Sequence, residues 1–463
     1  MKSFINIGVL LLLIKLTSCG NQETKKLVEI DQNSGPILIT GVNIFDGKTN
    51  SLIENRDVFI KNGFIATIAD SIVSTEGYQT IDGRGKTLMP GLIDSHVHLS
   101  GSGAVPWENE SANMEYNLSA YLYSGITAVY DLGGLAGDLS KIAEKVDNRD
   151  IIGPSIYHTH IPITVKNSHP IPLTKQMLPW PLKSLVNAIS PTIDDISDAK
   201  NLIEKYLKND VDYVKVICDQ IPPGSPEMTF EQLKALIDEA HKSDKKVFAH
   251  IGSPENAISA VEAGADILAH GIWRGKLSPE QADIIAASKI PIVYTISGFY
   301  NVSKIHNGEY QPSDLDRYLV PDHILSPVTG ENGKDVHQQD VMNSFFEDVN
   351  NQSAFWLHNF RLLHDRGVPI LVGTDSNLPG TYAGSTYFQE MNLLKKFGLS
   401  NFEILTGATY LSSRLFLDNP DFGLVGEGKR ANLLLIDGNP LENIELIQSP
   451  HLILLNGNIV EKL

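Results

Sequence analysis

Both ends of the chain carry short apolar runs closed by turn signals, while the middle alternates short apolar runs with longer amphipathic stretches. Near the start, Ile37-Leu38-Ile39-Thr40-Gly41, Val58-Phe59-Ile60-Lys61 and Phe64-Ile65-Ala66-Thr67-Ile68-Ala69 have strand length, and Asn62-Gly63 between the last two predicts a tight hairpin. The texture returns over 431–437 and 451–460, with Asn456-Gly457 as a second such turn. These two distant β-rich ends are expected to meet as one small composite β-sandwich domain drawn from 36–90 and 423–463.

Between them the pattern predicts strands at 92–95, 127–131, 155–158, 213–217, 247–249, 267–269, 292–294 and 370–373. Helices are clearest at 229–241, 254–263 and 278–287, each opened by a Thr, Ser or Pro suited to a helix start. Eight strand–helix alternations make a closed (β/α)8 TIM barrel over 91–422 the economical solution. The interval 298–336 is too long and polar for an ordinary connection, and reads either as a lid or wall over the strand ends or as a surface insertion.

Composition changes this picture only at the margins. The 463 residues are 42% hydrophobic and 20% charged, enough for one barrel plus a small domain. The first nineteen residues stand apart: Lys2, an apolar run over 4–14, then Leu16-Thr17-Ser18-Cys19. That order is expected of an export signal, too short for a stable spanning helix. The tetrapeptide resembles a bacterial lipobox, which would leave Cys19 as a lipidated first residue and place the protein in the cell envelope, with Gly20 favouring the outer membrane; an ordinary secretory signal is the alternative. Residues 20–35 read as a tether. Cys19 and Cys218 are the only cysteines, so lipidation of the first excludes an intrachain disulfide. Without Lys2 and Lys15 the chain keeps 35 basic residues against 55 acidic ones. Such a surface repels nucleic acid and anionic headgroups, so membrane attachment would come from lipid rather than charge. Homo-oligomerisation is left open.

The chemistry gathers at predicted strand ends, which a barrel brings to one mouth. His96 and His98 in Asp94-Ser95-His96-Val97-His98 lie two apart and can offer two imidazoles to one ion. His250 closes the run Val247-Phe248-Ala249, and His270 closes Ile267-Leu268-Ala269. Singly each is as readily a core histidine as a ligand. Asp375 follows the apolar strand Ile370-Leu371-Val372-Gly373, where a carboxylate needs a cation or donors to stay charged. Alone it suits a helix cap; beside four histidines it reads as metal ligand and general base. Lys215 sits inside Tyr213-Val214-Lys215-Val216-Ile217, and either snorkels or pairs with a barrel acid, or has taken up carbon dioxide as an anionic carbamate bridging two metals.

With the entrance Ile81-Asp82-Gly83-Arg84-Gly85-Lys86-Thr87-Leu88-Met89-Pro90-Gly91-Leu92-Ile93-Asp94 and the exit Gly426-Glu427-Gly428-Lys429-Arg430-Ala431-Asn432-Leu433, the chain from Pro36 to Val460 resembles the amidohydrolase superfamily, in its imidazolonepropionase-like and prolidase-like branch. The resemblance implies two divalent metal ions, in the first instance Zn2+. His96 and His98 would hold the inner ion, His250 and His270 the outer one, with N6-carboxylated Lys215 between them. Asp375 would ligate the inner ion and shuttle the proton. His169, in Asn167-Ser168-His169-Pro170, resembles a histidine that relatives place against substrate, where it would polarise a carbonyl; as a bare loop histidine it would do nothing. Two departures stand out: Asn432 replaces the usual aspartate of the exit motif, and Phe388 stands where relatives have histidine. Tyr294 and Tyr300 read first as core aromatics.

The expected activity is cleavage of a small-molecule amide C–N bond, in a dipeptide or N-acyl amino acid, by metal-activated hydroxide. Opening of a cyclic amide of imidazolone type is the alternative. A lipid-tethered binding protein without turnover is the rival from another class, and the presence of Asp375 as a proton shuttle argues against it.

Overall fold

The computed structural model describes residues 25–31, 35–73, 77–105, 110, 112–134, 136–177, 183–333 and 340–463. The export signal and Cys19 lie outside the described residues. Seventeen strands are present among them: β1 (Val28–Ile30), β2 (Ile37–Ile44), β3 (Ile53–Lys61), β4 (Phe64–Ala69), β5 (Gln79–Asp82), β6 (Lys86–Pro90), β7 (Leu92–Val97), β8 (Ile126–Asp131), β9 (Ser155–His158), β10 (Val214–Ile217), β11 (Val247–His250), β12 (Ile267–Ala269), β13 (Ile292–Val293), β14 (Ile370–Leu371), β15 (Leu433–Asp437), β16 (Leu452–Leu455) and β17 (Asn458–Lys462).

One nine-stranded sheet draws on both ends of the chain, in the order β1-β17-β16-β15-β6-β2-β3-β4 with β5 on β2. Antiparallel pairing of β15 with β6 joins the two ends, from Leu433 opposite Pro90 to Asp437 opposite Lys86. The two Asn-Gly turns form as the sequence predicts: Asn62 and Gly63 take φ of 53° and 84°, and Asn456 and Gly457 take 49° and 74°. Positive φ at both central residues matches the twist of the flanking strands, which is why Asn-Gly is favoured there. Part of the stretch read as a tether is otherwise: Val28–Ile30 is an edge strand on β17, and Leu27 and Val28 are buried. Leu27 and Val28, apolar among polar neighbours, were the signal for it.

The eight runs read as strands in the middle of the chain are β7 to β14, all parallel, in sheets of three (β7-β8-β9) and five (β10 to β14). Hydrogen bonds join the edges of these sheets on both sides. Ile163 N donates to Lys215 O and Ile217 N to Ile163 O at one seam, while Ser95 N donates to Val372 O and Thr374 N to His96 O at the other. The result is a TIM-barrel-like α/β body. Alternation along the strands divides its apolar residues. Ile93, Ala128, Tyr130, Tyr213, Phe248, Ile267, Val293 and Leu371 fill the interior cluster. Leu92, Val129, Val214, Val216, Val247, Leu268, Ile292 and Ile370 face the surrounding helices. The helices Phe230–Lys242, Pro254–Ala263 and Pro279–Ser288 begin at Thr229, Ser253 and Ser278, each closing a reciprocal capping box with the third helical residue.

Within the interval 298–336, the described residues 298–333 are more ordered than their polarity suggested. They hold the end of helix Ile296–His306, the helices Asp314–Leu319 and Asp322–Leu325, and the turn Ser326–Val328, and are followed by helix Asp340–Gln352. Ile305, Ile324, Leu325, Val328 and Phe346 form a separate apolar cluster with Ala104, Val105 and Tyr382. These last three follow β7 and β14, so the segment packs beside the strand ends that carry the functional side chains.

Candidate metal centre

Strand pleating, two bulges and two unusual backbone conformations decide which side chains meet. The β7–β8 register shifts between Leu92 and Ile93 and again between Asp94 and Val97, which re-aims the end of β7. His96 and His98 then both approach one carboxylate oxygen: Asp375 Oδ1 lies 3.1 Å from His96 Nε2 and 3.0 Å from His98 Nε2. His270 follows Ala269, an interior residue, so strict alternation would turn it outward. Its φ of 73° breaks that alternation, and Asp375, beyond β14, also takes a left-handed φ of 57°. Non-glycine residues pay for such conformations, and they concentrate at functional sites.

The His270 ring lies 4.7 Å from that of His96 and 4.1 Å from that of His250. Donor atoms of His96, His270 and Asp375 fall within 4.8 Å of one another, a spacing that can hold a metal ion. His250 Nδ1 is 2.9 Å from His270 Nε2. The far nitrogens of His98 and His270 have partners, as is usual for metal-ligating histidines, while His96 Nδ1 has none among the described residues. His98 Nδ1 donates to Gly133 O at 3.0 Å, which leaves the Nε2 lone pair for the site. His270 Nδ1 is 2.8 Å from Thr295 Oγ1.

Lys215 is 2% exposed, and its Nζ has no hydrogen-bond partner among the described residues. Of the two readings the sequence left open, pairing with a barrel acid therefore has no hydrogen bond to support it. Burial pulls its ammonium down to about 7, against the attraction of Asp375. Asp375 itself stays ionised: burial opposes the charge, but His96, His98 and His270 together hold it well below the usual carboxylate range. Burial keeps His96 neutral by lowering it to about 3. His250 and His270 are lowered too, chiefly by burial. His98 moves in the opposite sense: burial opposes its charge, but Asp375 draws it upward. Buried His96, His250 and His270, half-buried His98 and Asp375, and an amine without a hydrogen-bond partner among the described residues make up the donor chemistry of a divalent-cation site.

His169 is brought to the same place, its ring 5.0 Å from that of His250. Burial lowers it to about 3, and Nδ1 has no partner among the described residues. Tyr294 packs on Phe360 on the helix side, as a core aromatic. Phe388 is buried in the main core, and Asn432 Oδ1 accepts Asn456 N at 2.7 Å within the nine-stranded sheet.

Sequence reasoning missed several buried carboxylates, among them Asp131, which accepts Leu99 N and Gly133 N beside His98. Asp219, just past β10, lies 3.5 Å from His250 Nε2 and 2.8 Å from Arg274 Nη1. Glu390 accepts the backbone N–H groups of Ile296 and Ser297, fixing the turn that carries Thr295. Asp94 accepts from the backbone and hydroxyl of Thr374, bracing the segment before Asp375. Asp94 directly precedes the His-x-His pair, a signal that was present; Asp219 and Glu390 carried none, because their partners are distant in sequence.

A parallel α/β body with imidazoles and one carboxylate gathered at its strand ends is an arrangement that can hold a metal ion. The chain belongs to the amidohydrolase family, whose model matches residues 87–302 and 337–460, and is with it a hydrolase acting on carbon–nitrogen bonds. It is 24% identical to the imidazolonepropionase of Caldanaerobacter subterraneus subsp. tengcongensis over 84% of this chain and 86% of that one. It is 21% identical to the ochratoxinase of Aspergillus niger over 79% of this chain and 73% of the relative. Among solved structures, a prolidase complexed with N-methylphosphonate-L-proline superposes with a TM-score of 0.73 at 21% identity, covering 92% of this chain and all of the other.

Proposed function

We propose that the protein hydrolyses the amide C–N bond of a small molecule, a dipeptide or N-acyl amino acid, with two divalent cations, preferably Zn2+, held by His96, His98, Lys215, His250, His270 and Asp375. The observation that carries the reading is Asp375 Oδ1 lying 3.0 to 3.1 Å from two imidazole nitrogens, together with a buried Lys215 amine that has no hydrogen-bond partner among the described residues. When bound, the cations lower the pKa of water and polarise the substrate carbonyl. Asp375 accepts the proton of the attacking water and returns it to the leaving nitrogen. Neutral His169 donates a hydrogen bond to the carbonyl oxygen as negative charge grows there. Lys215 completes the set as a carbamate, formed when its neutral Nζ bonds to the carbon of carbon dioxide and releases a proton. The same reading takes 91–422 as a closed (β/α)8 barrel and 36–90 with 423–463 as a composite β-sandwich, the mature protein being anchored to the outer membrane through lipid on Cys19.

Likeness to an imidazolonepropionase supports a second reading, opening of a cyclic amide. Product count separates the two: a linear amide gives two molecules, a ring gives one. The test is a panel of dipeptides, N-acyl amino acids and cyclic amides on zinc-loaded protein beside Asp375→Asn. Turnover lost in the variant supports the proposal; wild type no faster than the variant on every substrate refutes it.

A further inference from the structure

We infer that Asp219 positions His250 for metal binding and that Arg274 ties this carboxylate to helix Asp340–Gln352. The inference rests on the metal-site reading above. Asp219 is wholly buried, and donors surround both its oxygens. Oδ1 accepts from Arg274 Nη1 at 2.8 Å and from Gln220 N at 2.7 Å. Oδ2 accepts from Trp273 Nε1 at 3.2 Å and lies 3.5 Å from His250 Nε2, a buried nitrogen that makes no hydrogen bond among the described residues and faces this carboxylate. The Arg274 guanidinium and the Gln220 and Trp273 N–H groups hold Asp219 as the ionised acceptor.

An ionised carboxylate is acceptor-only, so it selects the tautomer of His250 that carries its proton on Nε2. That turns the Nδ1 lone pair toward the site, where in the metal-free protein it accepts from His270 Nε2 at 2.9 Å. A pairing of Asp219 with Arg274 alone would not require Oδ2 to face an imidazole. Room for that contact is built in: a Cβ at Gly252 would lie 2.2 Å from Asp219 Oδ2.

Arg274 carries the connection outward. Its Nε donates to Asp348 Oδ2 at 2.9 Å and its Nη2 to Gln220 O at 2.6 Å. Gln352 Oε1 accepts Gly275 N at 3.0 Å, a second bond between the same helix and the loop after His270. Helix Asp340–Gln352 thus grips the loop that carries the Asp219 partner.

The variant Asp219→Asn has a defined consequence. Arg274 and Gln220 N both donate at the Oδ1 position, against Trp273 Nε1 alone at Oδ2, so the amide oxygen of the asparagine takes the Oδ1 place and its NH2 that of Oδ2, at the cost of the Trp273 bond. His250 Nε2 then becomes an acceptor, the proton moves to Nδ1, and the ligand nitrogen is blocked. The experiment uses 15N-histidine-labelled, metal-free full-length protein for tautomer assignment, and zinc competition against a chelator for affinity. Wild type is expected to show the Nε2–H tautomer of His250 and Asp219→Asn the Nδ1–H tautomer, with zinc bound roughly 10- to 100-fold more weakly. Gly252→Ala, which displaces the carboxylate without changing charge, should weaken zinc in the same direction. Asp348→Asn should keep the tautomer and weaken zinc several-fold. An Nδ1–H tautomer in wild type, or Asp219→Asn matching wild type in tautomer and affinity, overturns the positioning role. Asp348→Asn with wild-type affinity overturns the tie to the helix. Wild type that binds no zinc at all sinks the metal-site reading instead, and the tautomer spectra identify that failure separately.

Discussion

Lys215→Met should make the metal-free protein more stable while removing its capacity for two metal ions. Lys215 lies in β10 with its flanking residues Val214 and Val216 turned toward the helices, and its Nζ has no hydrogen-bond partner among the described residues. Burial lowers it from 10.5 to about 7. Above 10.5 the amine is neutral folded and unfolded alike, and burial carries no protonation penalty. As pH falls below 10.5 the unfolded chain takes up the proton while the folded one resists, so a penalty grows until about pH 7 and is constant below. At pH 8 it is roughly 3 kcal/mol, approaching roughly 5 at pH 7 and below. Methionine has similar length and no charge to desolvate, so the variant escapes the penalty. With an unfolding entropy of about 2.1 cal/mol/K per residue, roughly 3 kcal/mol raises the melting temperature by about 3 °C in a chain of this length. The assay is thermal melting of metal-free wild type and variant between pH 7 and pH 10, with metal content measured after reconstitution. The stability advantage should shrink toward pH 10 while bound metal drops from two ions per chain toward one or none. A variant less stable than wild type at pH 8, or a difference that does not change with pH, refutes the reasoning and makes Lys215 a structural residue.

Two further expectations concern the backbone around the site and the processing of the chain. At Gly271 a Cβ would lie 2.5 Å from Tyr294 Cζ, so Gly271→Ala should destabilise by roughly 1–3 kcal/mol through overpacking and, by moving the turn that aims His270, weaken metal binding; melting and chelator competition measure both, and a variant with wild-type values contradicts the close packing. Native protein purified from membranes should begin at a lipid-modified Cys19; intact mass spectrometry reads this, and an unmodified cysteine or another first residue rejects the anchor without touching the hydrolase reading.

The sequence by itself determined the elements and most of the site. Alternation and turn chemistry act within a few residues, so eight strands, three capped helices and both Asn-Gly hairpins were legible without tertiary information. Candidate ligands were legible for a related reason: a histidine, aspartate or lysine at the end of or inside an apolar run is costly unless something holds it. The structure brings donor atoms of His96, His270 and Asp375 together, with His98 on the same carboxylate and His250 against His270; His169 was legible only through the family resemblance. Tertiary structure decided what depends on partners far apart in the chain. Asp219 looked like an ordinary loop residue because its meaning comes from His250, Arg274 and Gly252, and Glu390 looked like a helix-surface acid because its acceptor role is defined by Ile296 and Ser297. The residues after 298 read as polar because their apolar positions are spaced for several short helices, and only their packing on Ala104, Val105 and Tyr382 turns that spacing into structure. The inward turn of His270 was equally hidden: alternation points it outward, and only the left-handed backbone at that residue, held by Thr295 and by the fit of Gly271 against Tyr294, brings the imidazole to the site.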